Sequence, residues 1–226
     1  MKPTAVCIFA HPDDEAFGPG GTIALLSQTH DVYLICATRG ESKYTALDEK
    51  KLHHSIEHVP ALGMQRTEEL QAAAKVLGIK QVFFLDFIDG TLSNNNYHQI
   101  ATKILAIVEP LKPELLLTYE PQGVSGHIDH ITMSMVTSFI FQHIPTAQKV
   151  MYFCKNKQHD EPNNYFIFHP PGYKPEEIDE FVDISSVWDI KIEAMRQHKS
   201  QIKDINKILP RLEKLPKIEH FLVKTK

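Results

Sequence analysis

Short apolar runs rich in β-branched and aromatic residues alternate along this chain with segments of helical periodicity, and that alternation limits the folds open to it. TAVCIFA (Thr4–Ala10), DVYLICATR (Asp31–Arg39), QVFFLDF (Gln81–Phe87), ELLLTYEP (Glu114–Pro121) and KVMYFC (Lys149–Cys154) read as buried strands. Between them, TIALLSQT (Thr22–Thr29), RTEELQAAAKVLGI (Arg66–Ile79), YHQIATKILAIVEPLKP (Tyr97–Pro113) and HIDHITMSMVTSFIFQHI (His127–Ile144) read as helices, the second of them stopped by Gly78. Weaker strands over NYFIFHP (Asn164–Pro170) and DEFVDIS (Asp179–Ser185) precede a last helix, SVWDIKIEAMRQHKSQ (Ser186–Gln201). Strands alternating with helices through right-handed crossovers specify an α/β fold, a Rossmann-like three-layer αβα arrangement with a mainly parallel sheet. No repeat, low-complexity tract or linker divides the 226 residues, so they read as a single domain. Residues 39–65 are polar and histidine-bearing and suit a lid loop, and residues 202–226 form a C-terminal extension.

In open sheets of this kind ligands bind outside the carboxyl ends of the strands. Two charged turns fall at that edge. AHPDDE (Ala10–Glu15) follows the first strand, and GHIDH (Gly126–His130) follows the fourth and opens a helix. His11 and Asp14 are three residues apart, as are His127 and His130, so each pair can present its side chains in one direction. Catalytic zinc typically takes three nitrogen or oxygen ligands and keeps a fourth position open. His11, Asp14 and His130 would make that set. Asp13 and Asp129 would stand nearby, one able to act as a general base and the other to orient a histidine. For either turn alone, helix capping by the aspartates and polar surface histidines would explain the residues equally well. The coincidence of two such turns at one edge favours a site.

Other chemistries find less support. A dinucleotide fingerprint beginning at Gly18 needs glycine at position 23, where the chain has Ile23. The charged turn also intrudes where a phosphate would approach, so the GPGG stretch (Gly18–Gly21) reads as a tight turn allowing close helix packing. No P-loop and no G-x-S-x-G elbow occurs. The net charge of -4 gives no basic footprint for nucleic acid, and no apolar stretch approaches the roughly 20 residues of a membrane span. Cys7, Cys36 and Cys154 stand singly in apolar surroundings. With an N-terminus that lacks a signal-peptide pattern, they point to buried free thiols and a cytoplasmic setting.

The ordered motifs resemble the LmbE-like superfamily of zinc-dependent de-N-acetylases, relatives of the phosphatidylinositol-glycan class L enzyme. AHPDDE is its most specific signature. GHIDH is similar to its second motif, and TRGE (Thr38–Glu41), RTEELQAAAKVLGI, LDFIDG, LLLTYEP and EAMRQHKSQ (Glu193–Gln201) follow family blocks in order, so the likeness covers Lys2 to Gln201. The resemblance implies that His11, Asp14 and His130 hold Zn²⁺, a donor set that also accepts Fe²⁺, Mn²⁺ or Co²⁺. It implies Asp13 as general base, and His127, held by Asp129, as electrophile or acid. It places Arg66 against the polar substrate and gives His198 and Gln201, of an H-x-S-Q pattern, pocket or subunit-interface roles. Arg39 of TRGE and Ser125 are read as substrate-facing, Ser125 standing where some relatives carry an oxyanion-stabilising tyrosine. Asp89 is read as a turn former. The activity implied is hydrolysis of an N-acetyl group on an amino sugar, with a small N-acetylated molecule as partner and, as in many relatives, assembly into a homo-oligomer. Hydrolysis of another N-acyl molecule and a non-catalytic metal- or ligand-binding module are the alternatives.

Overall fold

The structure, a computed structural model, describes residues 2–44, 56–159 and 168–226. The strands are β1 (Thr4–Phe9), β2 (Asp31–Thr38), β3 (Ser42–Tyr44), β4 (Ile56–His58), β5 (Gln81–Phe87), β6 (Leu115–Tyr119), β7 (Lys149–Cys154), β8 (Glu180–Asp183) and β9 (Ile218–Thr225). The helices are α1 (Asp14–Phe17) and α2 (Gly20–Thr29), α3 (Pro60–Leu77), α4 (Tyr97–Leu111), the single turn α5 (Gly123–Gly126), α6 (Ile128–His143), α7 (Trp188–Gln197) and α8 (Ile202–Leu212).

Among the described residues, seven strands form one sheet in the order β5-β2-β1-β6-β7-β9-β8, and β3 pairs with β4 in a separate hairpin. β5, β2, β1, β6 and β7 run parallel, whereas β9 is antiparallel to both β7 and β8. Residues of β1 face the two layers alternately. Ala5, Cys7 and Phe9 pack in the layer of α2, α3 and α7, with Ile23, Leu70 and Ile192. Val6 and Ile8 pack with Ile100, Met133 and Ile140 of α4 and α6. A central strand buried on both faces cannot alternate apolar with polar, which is why TAVCIFA reads as an unbroken apolar run. This is the expected three-layer αβα arrangement. From β1 the chain winds outward to β2 and β5, then returns to β6 on the other side of β1. The resulting switch point opens a crevice beyond the carboxyl ends of β1 and β6.

Several elements differ from the sequence expectation. Helix α3 begins at Pro60 rather than Arg66, because proline suits the first helical turn and Val59 is extended. The proposed lid is thus in part hairpin and helix. Residues 45–55 of it, and most of the strand expected over Asn164–Pro170, lie outside the described residues. The last helix stops at Gln197 instead of Gln201, since His198 leaves helical geometry (φ -81, ψ 66). The C-terminal stretch supplies α8 and β9, and β9 enters the main sheet with Phe221 in the core.

The glycine turn before α2 is closed from within. Glu219 of β9 accepts the N–H groups of Gly21 (2.9 Å) and Thr22 (2.7 Å), where a Rossmann-like loop would otherwise receive a phosphate. Lys191 completes a buried pair with Glu219 at 2.6 Å. A Cβ at Gly21 would lie 2.6 Å from Ile184, so only glycine allows α2 to pack this closely.

Candidate active site

The two charged turns meet at the switch point. In the first, Asp14 folds back so that Oδ2 accepts the N–H groups of His11 (2.8 Å) and Ala10 (3.1 Å), leaving Oδ1 to face His130 Nε2 at 3.2 Å. In the second, His127 caps α6 and His130 lies in its first turn, their rings stacked 5.1 Å apart. His11 Nδ1 comes within 3.0 Å of His130 Nε2.

The partners of these rings fix their tautomers. His130 Nδ1 lies 3.0 Å from the carbonyl oxygen of Gly123, which can only accept, so Nδ1 carries the proton and Nε2 presents a lone pair. His11 Nε2 lies 3.0 Å from Asp89 Oδ1 and 3.2 Å from Asp129 Oδ2, so its Nδ1 presents the other lone pair. Two lone pairs and the carboxylate of Asp14 converge on one point without a donor between them, and a cation or an extra proton must reconcile them. Burial opposes protonation of His11, but Asp89, Asp129 and Asp14 outweigh it and raise its pKa.

The spacing fits a metal ion. His11 Nδ1 to His130 Nε2 at 3.0 Å and His130 Nε2 to Asp14 Oδ1 at 3.2 Å fall just short of the edge of a tetrahedron, and one ligand atom from each of the three residues lies within 4.8 Å of the others. That edge is about 3.3 to 3.6 Å for bonds of about 2.0 to 2.2 Å. A second group of four, His11, Asp89, His127 and Asp129, is equally compact. Its carboxylates are already engaged: Asp129 accepts the N–H groups of Gly90 (2.8 Å) and Leu92 (3.0 Å), and Asp89 that of Ser42 (3.1 Å). The second group therefore reads as the support that orients His11 rather than as a ligand set.

Around this centre lies a cavity of about 520 Å³ lined by His11, Asp13, Asp14, Arg66, His127 and His130, with Ser125 and Asp89 in the same wall. A cavity of about 540 Å³ opens at the opposite, amino-terminal edge of the sheet, away from this chemistry. Asp13 adopts φ 115, an uncommon backbone for a residue with a Cβ. It is held from several sides. Arg66 donates to Asp13 Oδ2 at 2.9 Å and to the carbonyls of Gly40 and Pro12, while Glu15 Oε2 accepts the Asp13 N–H at 3.1 Å. Burial pushes the Asp13 pKa up to about 6, against the pull of Arg66. His127 Nδ1 accepts the N–H of Asp129 at 3.1 Å, which leaves the ring proton on Nε2. Burial, with His11 and His130 beside it, drives the His127 pKa down to about 2, so the ring is a neutral donor.

Three expected roles need correction. The Asp129 carboxylate holds His11 and the 90–92 turn, and the Asp129 backbone N–H donates to His127. His198 is fully buried, its Nε2 2.7 Å from Glu15 Oε1, and does not line the cavity. Arg39 also stays out of the cavity wall because Asp86 (2.7 Å) and Thr67 (3.0 Å) hold it against the ring of Phe84. Ser125 does line the cavity, with Oγ 3.4 Å from His130 Nδ1. Sequence reasoning passed over Asp89 and Tyr119. Asp89 follows β5 at the same sheet edge as the two motifs, which was the available signal. Tyr119 ends β6, lays its ring 4.8 Å from that of His130 and donates to the Asp14 carbonyl at 3.0 Å.

Residues 6–141, more than half of the chain, match the PIG-L family, described as GlcNAc-PI de-N-acetylase. The chain belongs to this family. Among its relatives is the probable N-acetyl-α-D-glucosaminyl L-malate deacetylase 2 of Bacillus cereus, 30% identical, the match spanning 89% of this chain and 84% of that protein. The fold is that of N,N′-diacetylchitobiose deacetylase of Pyrococcus horikoshii (TM-score 0.72, 22% identity, 98% of this chain and 84% of that one). It is also that of 4-carboxy-2-hydroxymuconate hydratase of Pseudomonas putida KT2440 (TM-score 0.67, 21% identity, 100% and 97%). At such identities the likeness speaks to fold alone, and a hydratase among the neighbours means that this PIG-L family member must be read from its site.

Proposed function

We propose that this chain is a zinc-dependent hydrolase that removes the N-acetyl group from an N-acetylglucosamine-containing glycoconjugate. The observation that carries the reading is the convergence of two imidazole lone pairs and a carboxylate on one point, with a further carboxylate, Asp13, anchored beside them. The family description and the Bacillus relative's name both specify an N-acetylated glucosamine attached to a different group, and this supports the N-acetylglucosaminyl end as the part recognised.

His11, Asp14 and His130 would hold the zinc. Bound there, zinc supplies Lewis acidity and a water whose pKa falls to about 7. Asp13, steered by Arg66, accepts the proton as water attacks the amide carbonyl carbon. His127 donates its Nε2–H to the oxygen on which negative charge develops. Asp13 then returns the proton to the nitrogen as the C–N bond breaks, and acetate and the free amine leave. No covalent intermediate is required, and Cys7, Cys36 and Cys154 are buried and do not line the cavity. Those free thiols, with no described helix long and apolar enough to cross a membrane, support a cytoplasmic setting.

The test is an Asp13→Asn variant assayed for acetate release and metal content. Metal is expected to stay while kcat falls by roughly 10²- to 10⁴-fold, the usual contribution of a general base. Acetate release at the wild-type rate would remove Asp13 from the mechanism.

A further inference from the structure

The segment after α7 forms a fixed wall of the cavity. His198 is drawn into the core by Glu15 at 2.7 Å. Two residues later Ser200 gives its N–H (2.9 Å) and its hydroxyl (2.6 Å) to Glu69, a buried carboxylate of α3. Clamped at both points, the segment turns Gln201 and Lys203 toward the cavity, which Ser42 and Lys43 of β3 also line. Every acid in the cavity wall has a partner: Asp13 has Arg66, Asp14 has His130, and Asp89 has His11. Arg66 is likewise committed, to Asp13. Lys43 and Lys203 are exposed, and neither has an ion-pair or hydrogen-bond partner among the described residues. Among the described residues, the uncommitted charge of the cavity is therefore positive and comes from two separate elements.

We propose that Lys43 and Lys203 select a substrate whose aglycone, the part attached to the N-acetylated sugar, carries a carboxylate or phosphate. This rests on the deacetylase reading and names its substrate class. Two ammonium groups lining one cavity both attract an anion that enters it. Lysine is a flexible point charge, so it tolerates anions of different shape where arginine would impose a planar fork. Gln201, on the same wall, adds an amide that can donate to the same group.

The experiment compares acetate release from N-acetylglucosaminyl glycolate, from its methyl ester and from N-acetylglucosamine 1-phosphate. The first two differ only in charge, and the third separates phosphate from carboxylate recognition. In wild-type enzyme the glycolate or the phosphate is expected to exceed the methyl ester in kcat/KM about 10-fold, the effect of two partly exposed charge pairs. In the Lys43→Gln/Lys203→Gln double variant that ratio collapses toward one. Equal kcat/KM for charged and neutral compounds in wild type, or a ratio that survives in the double variant, overturns the proposal. If none of the three releases acetate, the deacetylase reading fails. Calorimetric binding of the corresponding free amines, which cannot be turned over, then decides the anion site: about 10-fold tighter binding of the charged amine, lost in the double variant, upholds it, and equal binding overturns it.

Discussion

Replacing His198 tests how the catalytic turn is held. His198 and Glu15 are both completely buried, with 2.7 Å between Nε2 and Oε1. The second oxygen of Glu15 accepts the N–H of Asp13, whose backbone sits at φ 115. His198→Leu leaves a carboxylate buried without its charged partner, which costs about 3 to 5 kcal/mol. For a chain of this size that is about 2 to 4 °C of melting temperature per kcal/mol, so the midpoint should fall by about 6 to 20 °C. Because Glu15 also sets the direction of Asp13, kcat should fall roughly 10- to 100-fold with metal content retained. The double variant Glu15→Met/His198→Leu separates the two effects. It should recover much of the stability, since apolar replacement of a whole buried pair is often near neutral. It should not recover kcat, because replacing Glu15 also removes the acceptor of the Asp13 N–H. Thermal melts, acetate release and metal analysis on the three proteins decide the matter. A His198→Leu variant that melts within about 2 °C of wild type with full kcat would refute the reasoning.

Other perturbations have defined outcomes. Asp129→Asn should weaken metal binding by about 10- to 100-fold, as loss of a ligand's supporting carboxylate usually does, and a chelator competition assay measures it. His127→Ala should lower kcat by roughly 10²- to 10³-fold with metal content unchanged, the loss of one oxyanion donor. Stability should also depend on pH through His198. Burial alone would lower its pKa, but Glu15 raises it, so its contribution is full below the ordinary imidazole pKa of about 6.5 and fades as pH rises through the raised value. The pH slope of the melting temperature should be correspondingly shallower in His198→Leu. Burial pushes the Cys154 thiol up to about 12, with Glu120 adding to it, and Cys7 and Cys36 are also buried. A thiol reagent should therefore label none of the three in the native protein and all three in denaturant.

What was legible in the sequence follows from the range over which each feature is determined. The central strands and the two charged turns could be read because their logic is local. β1 is buried on both faces, and His11–Asp14 and His127–His130 each fall within one turn of chain. The partner of Asp129 could not be read. The geometry of the 88–92 turn aims the N–H groups of Gly90 and Leu92 at that carboxylate, and nothing in GHIDH encodes that turn. His198 lay inside a pattern that continues helically to Gln201, and its burial depends on Glu15, 183 positions away. The C-terminal strand was obscured because EHFLVKT mixes core residues with charge. It places Phe221 in the core and Glu219 under α2, and only the assembled sheet supplies a reason for a buried glutamate there.

If His11, Asp14 and His130 form a metal site that serves amide hydrolysis, activity must follow the metal. The most direct measurement strips the protein with a chelator and follows acetate release from an N-acetylglucosaminyl glycoside as zinc is added back. Release should be absent from the stripped protein, rise in proportion to zinc and level off at about one equivalent per chain, with no recovery in His130→Ala. Stripped protein as active as the reloaded enzyme, or reloaded enzyme that releases no acetate, would contradict the account.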